Sequence, residues 1–112
     1  MKYHAHIYWN NPQERHTAMW ARTFLHDNGC GLGRIWDKPI GPHPLPMFQV
    51  MYDSTNQTCI EDFLAKTGLT ILLHEDIGVN HVRDHTEGAR WLGQGGLELD
   101  LDFLRSIDDG DI

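Results

Sequence analysis

The stretch YHAHIYW (residues 3–9) alternates in a way that decides how the chain begins to fold. Successive side chains on an extended segment point to opposite faces. Tyr3, Ala5, Ile7 and Trp9 therefore share one face, and His4, His6 and Tyr8 share the other. The first face is ordinary core. The second carries two imidazoles and a phenol, which a strand does not need for packing.

Working outward, Asn10-Asn11-Pro12 is a helix start, with an Asn able to cap and Pro allowed in the first turn. Thr17, Ala18, Ala21, Phe24 and Leu25 recur at helical spacing, and Asn28-Gly29 supplies the stop. His16 and His26 fall inside this helix. GRIWD (33–37) reads as a short second strand. KPIGPHPLP (38–46) holds four of the five prolines and excludes regular structure. MFQVMYD (47–53) is strand three. Thr58 followed by Glu61 is a capping-box pattern for a short helix ending at Gly68. LTILLH (69–74), apolar almost throughout, reads as a central strand four.

The order β-α-β-β-α-β predicts an α+β, ferredoxin-like sandwich: an antiparallel sheet with two helices on one face. Beyond it, residues 82–92 read as a helix and LELDLDF (97–103), which alternates Leu with acid, as an extra strand. Trp91-Leu92 would pack that helix on the sheet. The spatial order 4-1-3-2, taken with strands one and four as parallel neighbours, sets their C-terminal ends side by side. The face opposite the helices, bearing His4, His6 and Tyr8, is expected to be filled by a ligand site or by a second copy. The expected assembly is a homodimer.

The 112 residues are expected to form a single domain, 1–112. A composition of 40% hydrophobic and 22% charged residues is that of a globular chain. The formal net charge of −7 argues against nucleic-acid and anionic-membrane partners. No apolar run approaches the ~20 residues that span a bilayer, and the N-terminal stretch does not read as a leader. Two isolated cysteines, Cys30 and Cys59, fit reduced thiols and a cytoplasmic setting.

Histidine is the unusual component, with eight in the chain. His6 on strand one, His43 in the stiff GPHP loop and His74 at the end of strand four offer imidazole from three separate segments. Neutral imidazoles from distinct elements suit a borderline divalent ion such as Fe(II) or Zn(II), and a set with open positions describes a catalytic site. The competing reading makes each a surface or hydrogen-bonded residue, and spacing alone does not choose between them. His81 and His85, four apart in NHVRDHTEGARWLG, would share a helix face. They could serve a site or lie at a solvated helix start.

Taken together, HAHIYW, GR, GPHP, FQV, LLH and DHTEGARWLG resemble the DOPA 4,5-dioxygenase family, small ferredoxin-like extradiol dioxygenases, from about Tyr3 to Gly93. Carried over by position, the resemblance implies roles for His4, His6, His43, His74 and His85. It implies Fe(II), with zinc also acceptable to the same ligands, binding a catechol such as DOPA together with O₂ and yielding a semialdehyde acid. On this reading His6, His43 and His74 are the metal ligands and His4 and His85 the acid/base groups, with His4 and His6 able to exchange roles. Tyr8, Arg34, Gln49 and Arg83 are candidate substrate contacts, Arg83 for an amino-acid carboxylate. Glu75 stands where the family often has proline, which leaves open a carboxylate role for Glu75 or Asp76. A non-catalytic dimeric module that binds a ligand or metal is the alternative function.

Overall fold

The computed structural model describes residues 1–77, 80–93 and 96–109. Strand β1 (Lys2–Tyr8) leads to helix α1 (Pro12–Asp27), and short strand β2 (Gly31–Leu32) follows. Strand β3 (Met47–Asp53), helix α2 (Gln57–Ala65) and strand β4 (Ile71–Glu75) complete the ferredoxin-like unit. A single-turn helix α3 (His81–Asp84), strand β5 (Ala89–Leu92) and helix α4 (Leu101–Asp109) are added to it. The five strands run in the order β2-β3-β1-β4-β5.

Local chemistry sets the element ends. Asn11 caps α1 by accepting the Glu14 N–H at 2.8 Å, and Glu14 Oε1 accepts the Asn10 N–H in return at 2.7 Å. Gly29, at φ +82°, ends the helix in a conformation that favours glycine. The Thr58–Glu61 capping box does not form, because α2 begins two residues earlier, with Asn56 rather than Thr58 at the cap position. Glu61 instead accepts the Tyr52 hydroxyl at 2.7 Å and pairs with Arg90 at 2.6 Å.

One layer of core lies between the sheet and helices α1 and α2. Ala5, Ile7, Phe48, Val50 and Ile71 from the strands meet Ala18, Leu25, Ile60 and Leu64 from the helices, all essentially inaccessible. Each such side chain larger than alanine contributes about 1.5–3 kcal/mol by leaving water. The opposite face has its own smaller layer. Tyr8, Met47 and Leu72 are covered by Trp36, Ile40 and Leu45 of the proline loop, by Trp91 of β5, and by Leu97 and Leu99. This face, expected to be open, is thus largely roofed by the chain itself.

Three element assignments from the sequence are also corrected. The second strand lies at Gly31–Leu32 rather than 33–37. Of the latter, only Trp36 makes an isolated bridge, to Met47. Residues 82–92 are not one helix: α3 stops at Asp84, and Ala89–Leu92 pairs antiparallel with β4, His74 opposite Ala89. Trp91 and Leu92 therefore belong to the sheet. The Leu/acid alternation over 97–103 does not make a strand. Residues 97–100 are irregular, and Leu101–Asp109 form α4, burying Leu104 while Asp102 stays exposed. The additional strand and C-terminal helix both exist, at exchanged places in the chain.

Strand order 4-1-3-2 holds, but β4 runs antiparallel to β1, with His4 opposite His74 and His6 opposite Leu72. The end of β4 consequently meets the beginning of β1. Directly opposed residues of an antiparallel pair share a face, so His74 joins the face that carries His4 and His6.

Candidate metal centre

Each imidazole arrives for a local reason. β1 supplies His4 and His6 by alternation, and the antiparallel register brings His74 beside them. His43 sits on the turn closed by its own N–H to the Ile40 carbonyl at 3.0 Å, with Gly41 in the left-handed region at φ +58°. The Asp100 N–H donates to the Pro42 carbonyl at 2.9 Å and fastens that loop to the chain before α4. Asn80 caps α3 through the Arg83 N–H at 2.8 Å, which delivers His85 at the helix end.

The rings converge. Centroids of His6 and His43 are 4.2 Å apart, His6 and His74 4.9 Å, His74 and His85 4.2 Å, and His6 and His85 5.7 Å. His4 lies 5.2 Å from His74. Two sets of three offer ligand nitrogens all within 4.8 Å of one another: His4, His6 and His74, and His6, His43 and His85. His6 is common to both. His6, His43 and His74 are each more than nine-tenths buried.

Burial holds these rings neutral. Desolvation, reinforced by His43 and His74, keeps His6 well below the usual imidazole range. Desolvation and then His85 bring His43 down to about 4. The same causes bring His74 down to about 3, the Glu75 carbonyl opposing. His85 is lowered by burial against the opposing pull of the His81 carbonyl and Asp84. His4 is lowered too, since burial outweighs Asp76 and Asp84. Neutral imidazole is the form that ligates a metal.

Hydrogen bonds fix the tautomers. His74 Nδ1 lies 2.8 Å from the Glu75 carbonyl and His85 Nδ1 2.7 Å from the His81 carbonyl. A carbonyl only accepts, so both Nδ1 atoms carry the proton and both Nε2 atoms are bare. His6 Nε2 lies 2.8 Å from His74 Nε2 and must donate to it. That leaves His6 Nδ1 as a bare nitrogen, buried and without a hydrogen-bond partner among the described residues. An orphaned buried acceptor costs about 1–3 kcal/mol, and a divalent cation would satisfy it. Backbone carbonyls orienting ligand histidines are the usual outer support of a metal site. The donor set fits a borderline divalent ion.

The remaining expected residues divide. Tyr8, 1% exposed, places its hydroxyl 2.7 Å from His43 Nδ1 and braces that ring. Burial raises the phenol above its ordinary range and keeps it un-ionised. Gln49 sits opposite His6 on β3, and its amide donates to Met51 Sδ at 3.3 Å. Arg83 borders a cavity with His74 and is held by Glu75 at 2.6 Å and Asp84 at 3.4 Å. Arg34 stacks on Trp36 at 4.4 Å. Of the two open carboxylates, Asp76 reaches the site, its Oδ2 3.1 Å from His4 Nε2. The carbonyls of Glu75 and His81 were not anticipated, since a backbone acceptor leaves no mark in side-chain identity.

Replacing Tyr8 with Phe removes the hydroxyl and leaves the packing on Trp91, a ring 6.0 Å away. Metal affinity is expected to fall about 10–100-fold, the usual cost of losing such a brace, as read by competition with a chromophoric chelator.

The sequence model of the Dopa 4,5-dioxygenase family matches residues 3–103. The chain belongs to this family. A crystal structure of a protein from Nostoc punctiforme, described as a "putative dioxygenase", superposes with a TM-score of 0.87 at 37% identity, covering 95% of this chain and 92% of that one. A curated relative from Botryotinia fuckeliana, an "Uncharacterized 21.2 kDa protein", is 32% identical over 98 residues. This chain spans about half the length of that relative, 53%, with 80% of its own residues aligned. As a family member, the chain carries its buried histidines where a dioxygenase could hold a metal ion.

Proposed function

We propose that this DOPA 4,5-dioxygenase family member is an Fe(II)-dependent extradiol dioxygenase acting on DOPA or a related catechol. One ring C–C bond is broken and both atoms of O₂ enter the semialdehyde acid. The observation that carries the reading is His6 Nδ1, bare, buried and unpartnered among the described residues, in a ring of neutral imidazoles. Zinc would occupy the same nitrogens without the redox chemistry.

Counting bare nitrogens supports His6 and His85 as ligands, and on this reading His43 joins them through Nε2, its Nδ1 proton donated to the Tyr8 oxygen. His4 Nε2 is engaged by Asp76 and His74 Nε2 by His6, whereas His6 Nδ1 and His85 Nε2 are bare and directed to no other acceptor or donor among the described residues. His74 then braces His6 and is itself braced by Glu75. This reading exchanges the roles that sequence suggests for His74 and His85. When bound, Fe(II) would supply Lewis acidity and adjacent open positions for catecholate and O₂.

The chain's own residues do the rest. The His4 Nε2 proton donates to Asp76 Oδ2, so Nδ1 is the bare atom, ready to take a catechol proton and later return it. Tyr8 and the layer of Trp36, Ile40 and Trp91 exclude water beside the reacting ring.

A homodimer is part of the same proposal. Trp20, 59% exposed beside Phe63, offers apolar surface a partner would cover. A cytoplasmic setting agrees with free thiols at Cys30 and Cys59, and no helix among the described residues is long and apolar enough to cross a membrane.

Anaerobic reconstitution with Fe(II), followed by DOPA and air, is expected to consume one O₂ per catechol and give a yellow product. Uptake should vanish after chelation and return with Fe(II) but not with Zn(II). Metal binding without O₂ uptake on any catechol would favour the non-catalytic module.

A further inference from the structure

A cavity of about 930 Å³ opens beside the proline loop. Residues 41–45 wall one side, and residues 97–102 with Arg105 wall the other. His43 lies at its inner end, 6% exposed, with Nδ1 held by Tyr8 and Nε2 without a hydrogen-bond partner among the described residues. The cavity therefore abuts the histidine cluster, and its volume suits a small organic molecule.

Its rim is acidic. Glu98, Asp100 and Asp102 line it against one cation, Arg105. Asp102 and Arg105 neutralise each other at 2.8 Å. Asp100 accepts the Phe103 N–H at the start of α4, and neither it nor Glu98 makes an ion pair among the described residues. A molecule reaching His43 through this opening meets an excess of carboxylates over cations.

We propose that this cavity receives the side chain of the catechol, and that its carboxylates select substrates bearing an ammonium group over those bearing only a carboxylate. The placement of the ring rests on the dioxygenase reading above. The charge preference does not require turnover to be measured.

Tyramine and 3-(4-hydroxyphenyl)propionate have similar size and opposite charge, and both lack the second hydroxyl that ring cleavage needs. In a titration of the full chain followed by amide chemical shifts, tyramine is expected to bind about tenfold tighter, with shifts at Gly41, His43, Leu97 and Leu99. Glu98→Gln and, separately, Asp100→Asn, whose amide oxygen can still accept the Phe103 N–H, should each narrow the preference about threefold, the scale of one partly exposed charge. Among substrates, dopamine should exceed 3-(3,4-dihydroxyphenyl)propionate in kcat/KM by a similar factor, and salt should erode the difference. A tyramine preference without O₂ uptake on any catechol would uphold the cavity's role while removing the dioxygenase reading. Oxygen uptake with equal use of both catechols, or a preference untouched by both substitutions, would overturn the cavity proposal and leave the dioxygenase standing.

Discussion

His43→Ala is expected to reduce O₂ uptake to background and to weaken Fe(II) binding by at least about 100-fold, beyond what losing an outer brace costs. The residue sits on a loop between prolines and contributes no strand pairing, so the fold should survive. The structural cost is the Tyr8 hydroxyl left without its partner, about 1–3 kcal/mol. Circular dichroism and a thermal melt separate lost fold from lost metal. His74→Ala makes the informative contrast. If His74 only braces His6, its loss should lower metal affinity about 10–100-fold without abolishing it, whereas His85→Ala should match His43→Ala. Normal turnover by His43→Ala would remove that residue from the site.

The second large effect is expected at Gly93, which follows β5. Its φ is +89°, and a Cβ there would lie 2.4 Å from the Leu69 carbonyl oxygen and 2.8 Å from its carbon. Both neighbours are backbone leading into β4, so no side chain can swing aside. Gly93→Ala should cost about 2–4 kcal/mol and lower Tm by roughly 10–20 °C for a domain near this size. Gly29→Ala is the control. It shares the positive φ, at +82°, but has nothing within 4 Å of the added atom, so only the backbone penalty of about 1–2 kcal/mol applies. Equal melts for the two variants would contradict the contact at Leu69. The effect reaches the site as well, because β5 carries Trp91, which packs on Tyr8, which holds His43.

Much of this arrangement is legible in the residues. Period-two alternation in residues 3–9 placed His4, His6 and Tyr8 on one face, and the apolar run at 69–74 marked a strand flanked on both sides. The C-terminal third was not legible in the same way. Residues 82–92 mix a capped helical turn with a strand whose pairing is decided by the edge of β4, a tertiary partner invisible to local periodicity. Leu97, Leu99, Leu101 and Phe103, at every second position, fit a strand. The same stretch also lets Leu97 and Leu99 roof Tyr8 while Leu104 turns inward from α4, and the uncovered sheet face selects the second outcome.

The site shows the same division. The types of the five central residues announced imidazole chemistry, but their grouping depended on direction. Parallel neighbours would have put His74 beside the far end of β1. The antiparallel register instead sets it against His4 and His6. Asp76 could be recognised only as one of two carboxylates, and contact with His4 distinguishes it from Glu75, which turns to Arg83.

The central claim is that imidazoles from distant stretches of chain share one ion. X-ray absorption at the iron edge of the anaerobically loaded protein tests it most directly. The account predicts three imidazole ligands with the outer-shell scattering of their rings, falling to two in His43→Ala. An iron shell of oxygen donors with no imidazole signature would contradict it.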